Sequence, residues 1–168
     1  TIYSREPDTL VIRPLIDPKY SYMWGDGATT NYHDVTTPGF YYLTVTESDH
    51  GCKTKDSILI QLLFNDVGIR QILSPLSSCE LGASERIELE VFNYGTDSLV
   101  PGDKIIVYYN VNNGSFVKDS VILSSSFYAK TSMPFLFEDK TENFVAEGDY
   151  QVKAFAYFGG DTVRTNDT

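Results

Sequence analysis

Apolar residues in this chain alternate with polar ones over short stretches, and a turn-forming residue interrupts them about every ten positions. An amphipathic helix would repeat its apolar residues at three and four, so this spacing predicts an all-β chain. In the first half Leu10 and Ile12 alternate on one expected strand and Tyr22 and Trp24 on a second. Tyr41, Leu43 and Val45 mark a third strand, and Ile58, Ile60 and Leu62 a fourth. Gly25-Asp26-Gly27, Pro38-Gly39 and Asp49-His50-Gly51 supply the turns between them. A polar joint, Asn65-Asp66, then opens a second series: Val67 and Ile69; Ile87, Leu89 and Val91; Ile106 and Tyr108; Phe116 and Val121; Phe135 and Phe137; Tyr150 and Val152. Asn113-Gly114, set between two such runs, predicts a type I′ hairpin, which needs positive φ at both central residues.

One signature occurs twice. GFYYLTV from Gly39 and GDYQVKA from Gly148 share Gly-x-Tyr-x-aliphatic, each near the end of its half. A Tyr entering a late strand after a glycine turn is the sequence form of a tyrosine corner, in which the hydroxyl ties the strand to the connection before it. Two tandem β-sandwiches are therefore expected, near 1–64 and 65–168, with Tyr41 and Tyr150 as structural residues. The short joint from Phe64 to Asp66 predicts a semi-rigid pair.

The balance of 13 Lys+Arg against 23 Asp+Glu gives a net charge of −10, which argues against a nucleic-acid partner. The chain's 12 Tyr and 10 Phe can fill a core. Its longest apolar run, Ile58 to Phe64 broken by Gln61, falls short of the ~18 residues a membrane helix requires, so no membrane span is expected. No basic segment followed by an apolar one opens the chain, which reads as a mature or excised segment.

Candidate functional residues follow from strand geometry. Trp24 sits where a sandwich packs a Trp between its sheets. In Tyr41-Tyr42 and Tyr108-Tyr109 one ring of each pair faces away from the core, since side chains alternate along a strand. Tyr42, Tyr109 and Phe158 are thus candidates for exposed rings that stack on sugars or anchor a protein. Burial of Trp24, Tyr41, Phe92 and Tyr150 is expected to hold the sheets together. Acidic residues gather near turns, and Asp26 and Asp66 are the candidate ligands for a surface or joint-stiffening calcium ion, although no spaced EF-hand loop occurs. About ten extended residues at ~3.3 Å each separate Cys52 from the joint, so a bridge to Cys79 is not expected. Asp-Ser/Thr-aliphatic occurs at residues 8, 56, 97, 119 and 161, either as polar turn residues entering strands or as O-glycan acceptors of the kind some Gram-negative bacteria use on exported proteins. His33 and His50 are not metal-spaced, and no nucleophile elbow or phosphate loop occurs, so no enzyme is expected.

YSYMWGDGATTNYHDVTTPGFYYLTVTESDHGCKTKDSILIQL resembles the polycystic-kidney-disease-type (PKD-like) immunoglobulin-like repeats of bacterial surface proteins. The matching features are aromatic-x-Trp running into a Gly-rich turn, Pro-Gly-x-Tyr, Gly-Cys and Asp-Ser-aliphatic. The second half resembles the bacterial cell-adhesion-related (CARDB-like) domain through Asp-Val-Gly-Ile, Asn93-x-Gly95-Thr96, Val-Asn-Asn-Gly and the closing Gly-Asp…Asn-Asp-Thr. The resemblance implies two immunoglobulin-like domains of a secreted or cell-surface bacterial protein, acting as a stalk or adhesion module. The implied partners are other domains of a longer surface protein and host or matrix glycans or proteins. A carbohydrate-binding accessory module of a secreted hydrolase or peptidase is the alternative. In the first family the Gly-Cys cysteine often pairs with one near the opening strand; TIYSREPDTL offers none, which leaves Cys52 without that partner. In the second a further strand follows Asn-Asp-Thr, so the second sandwich is expected to stand one strand short at Thr168.

Overall fold

The computed structural model describes residues 1–5, 10–161 and 163. The chain is all-β, with twelve strands and no helix among the described residues. It divides into two compact units, Thr1–Leu63 and Phe64–Thr168.

The first unit holds β1 (Ile2–Arg5), β2 (Leu10–Ile12), β3 (Tyr20–Trp24), β4 (His33–Val35), β5 (Gly39–Glu47) and β6 (Lys53–Leu63). Its main sheet has the order β1-β6-β5-β3, with β1 parallel to β6 and the other pairs antiparallel. β2 and β4 form a separate antiparallel pair. Tyr22, Trp24, Val35 and Ile60 are buried. Trp24 satisfies its indole N–H on the Thr30 carbonyl at 2.9 Å, as a buried Trp must.

The second unit holds β7 (Val67–Ser74), β8 (Glu88–Asn93), β9 (Lys104–Val111), β10 (Val117–Ile122), β11 (Ser132–Leu136) and β12 (Val152–Phe158). Two three-stranded antiparallel sheets, β11-β8-β7 and β10-β9-β12, contribute to one buried cluster. Val67, Leu89, Val91 and Phe135 enter it from one sheet, and Ile105, Val107, Tyr109, Ala154 and Ala156 from the other. This is the arrangement of a β-sandwich. β12 is an edge of its sheet among the described residues. Asn166-Asp167-Thr168, after which the resemblance implies a further strand, lies outside the described residues.

Two details of β9 and β10 correct the sequence reading. The buried set on β9 is Ile105, Val107 and Tyr109, not Ile106 and Tyr108. Residues 105–109 are apolar on both faces, so alternation does not say which set points inward. Register decides it: Ala156 and Ala154 lie opposite Val107 and Tyr109, and their small side chains leave room for the larger ones. The hairpin turn is also displaced by one residue. Positive φ falls at Asn112 (50°) and Asn113 (59°), and Gly114 N–H closes the turn on Val111 O at 2.8 Å. Asn tolerates the left-handed region well enough to take both central positions. Phe92 is likewise corrected. It lies on the outer face of β8, half-buried, with the Arg70 guanidinium 5.1 Å from its ring centre.

The Asn-x-Gly-Thr stretch after β8 forms a knot. Asn93 is wholly buried; its amide donates to the carbonyls of Asp97 (2.9 Å) and Phe127 (3.2 Å), and its oxygen accepts from Gly95 N–H (3.0 Å). Thr96 Oγ1 accepts from Phe64 N–H at 3.2 Å, while Phe64 O accepts from the amides of Thr96 and Asp97. The start of the unit is thereby fastened to the end of β8. Asp161 fastens it a second time: buried, it accepts from Val67 N–H at 2.8 Å and so joins β7 to the turn after β12.

Candidate functional site

The repeated glycine-tyrosine signature produces the same local structure twice. Gly39 and Gly148 take φ of 147° and 149°, a region that side-chain-bearing residues rarely enter. Two residues on, Tyr41 donates its hydroxyl to Thr37 O at 2.7 Å and Tyr150 donates to Ala146 O at 2.8 Å, each reaching back four residues. Both rings are half-buried, and Tyr150 packs on the second core. Replacing either Tyr by Phe is expected to remove one hydrogen bond and about 1 kcal/mol of stability, measured as a lower urea midpoint, with little change in fold.

The corner at Tyr41 sets the face next to it. With Tyr41 turned inward, Phe40 and Tyr42 on either side must point out. They are 60% and 49% exposed, with ring centres 6.1 Å apart and planes 26° from parallel. Ladder register places Leu59 and Ser57 beside them on β6. Further along the same face, Thr44 pairs with Lys55 and Met23, and Thr46 with Lys53 and Ser21. Thr44, Thr46, Ser21, Lys53, Thr29 and Asn31 line a shallow groove of about 520 Å³ there. Unit one thus carries two exposed, near-parallel rings on the strand face that leads to a groove lined by hydroxyl-bearing side chains, Asn31, Met23 and Lys53.

The structure places the candidates individually. Tyr42 is exposed as expected of it, but Tyr109 and Phe158 are not free rings. Tyr109 is wholly buried, edge-on to Phe137 at 4.6 Å, and donates its hydroxyl to Glu142 Oε1 at 2.8 Å. Burial, then the neighbouring carboxylate, pushes its phenol well above the usual range. Tyr108 takes the outer position, half-buried and stacked on Phe155 at 4.5 Å. Phe158 shares the inward parity of Ala154 and Ala156, and packs half-buried against the core. Phe40 went unnoticed in the sequence, though its position two before Tyr42 on the same strand was the available signal.

Asp26 belongs to the first unit and Asp66 to the second. Asp66 is buried, and its backbone carbonyl accepts from Tyr94 and Gly95. Asp26 is exposed; its carboxylate accepts from Ala28 N–H at 3.0 Å and meets His33 Nε2 at 3.0 Å. Among the described residues no three His, Cys, Asp or Glu side chains converge to hold a metal ion. The Ala28 amide, and then the His33 imidazole, hold the Asp26 carboxyl below the usual carboxylate value of 3.8. A folded-state value below the unfolded one gives a contribution that is present above the unfolded pKa and lost as pH falls through the lower one. The Asp26→Asn variant is therefore expected to lose less stability on acidification below about pH 4, read from Trp24 fluorescence in urea titrations.

Cys52 and Cys79 are both free and exposed. In the Asp-Ser/Thr-aliphatic tripeptides, Asp56, Asp97 and Asp119 each accept the next residue's amide N–H; Asp97 lies in a bend, but Asp56 and Asp119 lie within β6 and β10, so there they are not turn residues entering a strand. Ser57 is exposed, whereas the Ser98 hydroxyl accepts from Ala129 N–H; Thr9 and Thr162 lie outside the described residues. No helix among the described residues is long and apolar enough to cross a membrane. No family model matches the chain, and no curated protein matches it.

Proposed function

We propose that this chain is a non-catalytic adhesion module, a stalk segment of an exported bacterial surface protein built from two immunoglobulin-like domains. The observation that carries this reading is the outer face of β5, where Phe40 and Tyr42 stand side by side in solvent. Exposed aromatic pairs are the residues from which interfaces draw much of their energy. The likeness of the first half to PKD-like repeats and of the second to CARDB-like domains supports the setting, an extracellular or cell-surface one. The net charge of −10 favours solubility there and disfavours nucleic acid as partner.

The experiment is a retention assay. Beads coated with the chain are washed over surfaces bearing matrix proteins or glycans, beside beads coated with the Phe40→Ala/Tyr42→Ala variant. The reading predicts retention on at least one surface that the double variant loses; equal behaviour of the two chains contradicts it.

A second reading, a carbohydrate-binding accessory module of a secreted hydrolase or peptidase, is favoured by one specific observation. The two exposed rings, their planes 26° from parallel, stand on the same strand face as Thr44 and Thr46, which line a groove with Tyr, Ser, Thr and Asn side chains. Flat rings offer stacking faces to sugars, and hydroxyl and amide side chains match their hydroxyls.

A further inference from the structure

We infer that the outer face of β3, β5 and β6 binds an acidic polysaccharide, a polymer bearing carboxylate or sulfate groups. The inference rests on the carbohydrate-binding reading and adds the ligand's charge and orientation.

Three observations on one sheet face converge. Phe40 and Tyr42 provide two exposed rings, side by side, on which a sugar can stack. Thr44 and Thr46 continue the same side of β5 into the groove, so rings and groove lie in one line of about 20 Å along the strand. Such a line suits an extended chain of rings better than a single small molecule. The third observation is charge. Lys53 and Lys55 stand on this face, both exposed, opposite Thr46 and Thr44. The described residues that share the face, from Ser21 and Met23 to Phe40, Tyr42, Ser57, Leu59 and Gln61, include no Asp or Glu. In a chain whose acids outnumber its bases by ten, this face is locally cationic.

The chemistry of each part selects its counterpart. A neutral glycan would use the rings and the hydroxyls but leave two ammonium groups without a role. A basic partner would be repelled by them. A polyanionic nucleic acid would meet a net charge of −10 over the rest of the chain, whereas a polysaccharide with spaced acidic groups engages the two lysines and stacks its sugar faces on the rings.

The test is equilibrium binding of the full chain to polygalacturonate and chondroitin sulfate, with xylan and cello-oligosaccharides as neutral probes, at low and high salt. The variants are Phe40→Ala/Tyr42→Ala, Lys53→Gln/Lys55→Gln and, as a control on the second unit, Tyr128→Ala, which replaces an exposed ring. Unchanged circular dichroism and urea midpoints establish that each variant is folded. The expected result is binding to an acidic polymer that weakens about tenfold on loss of the rings. Loss of the lysines weakens it about fivefold, salt weakens it further, and Tyr128→Ala leaves it unchanged. Neutral glycans binding as tightly, with no effect of the lysine changes, would overturn the inference and leave the carbohydrate-binding reading standing. Acidic-polymer binding indifferent to the two rings would overturn it as mere charge capture. No binding of any glycan by the folded chain would overturn both.

Discussion

Changing Phe137 to alanine is expected to lower the stability of the second unit by about 3–5 kcal/mol, the cost of emptying a fully packed aromatic site. Phe137 is wholly buried and edge-on to two rings, Tyr109 at 4.6 Å and Phe135 at 5.1 Å. It follows β11, and its N–H bonds Ile87 O at 3.0 Å, so its backbone is held while its side chain is removed. Tyr109 cannot move into the gap without giving up its hydrogen bond to Glu142. The cavity therefore stays largely open, which places the cost toward the upper end. Hydrogen exchange is the suitable measurement. Protection at Val91, Val107 and Ala156, which share the core with Phe137, is expected to fall together by the same free energy. A loss below ~1 kcal/mol would mean that this ring is not the centre of the core.

The second large effect is expected at the knot after β8. A methyl group on Gly95 would stand 2.5 Å from Phe64 O and 2.9 Å from Asp66 N, both backbone atoms. Neither can swing away as a side chain would, so the Gly95→Ala change must push the start of the unit off the end of β8. A loss of about 3 kcal/mol is expected from such overpacking. Asn93→Ala removes the three side-chain hydrogen bonds of the same knot, at about 1 kcal/mol each, for a similar total. Asn93→Asp separates the roles, because a carboxylate still accepts from Gly95 but donates to neither carbonyl. Chemical denaturation of the three variants checks this, with Asp expected nearly as damaging as Ala. A fully stable Asn93→Asp variant would contradict the assignment of the amide as donor.

Strand positions were legible where apolar residues alternated against polar ones. β3, β5 and β6 could be read from Trp24, Leu43 and Ile60 because one face of each is wetter than the other. β1 and β4 escaped because neither Ile2–Arg5 nor His33–Val35 sets two apolar residues at alternate positions, as Leu10 and Ile12 do on the equally short β2. β9 was read with its faces exchanged, because an unbroken apolar run carries no phase; the alanines of β12, some fifty residues away, supply it. That exchange put Tyr109 in solvent and Tyr108 in the core. The tyrosine corners were legible because each depends on a local residue pair, a glycine at positive φ and a Tyr two places on. The aromatic face was half legible. Tyr42 followed from the corner, whereas Phe40, Lys53 and Lys55 join it only through the β5–β6 register, which local spacing does not contain.

The most direct test of recognition through this face is a residue-resolved titration. The ¹⁵N-labelled chain is titrated with short oligogalacturonates and followed by amide chemical shifts. The account predicts saturable shifts confined to β3, β5 and β6, largest around Tyr42, Thr44 and Lys55, with the second unit silent. Shifts centred on the second unit, or a spectrum unmoved at saturating ligand, would contradict it.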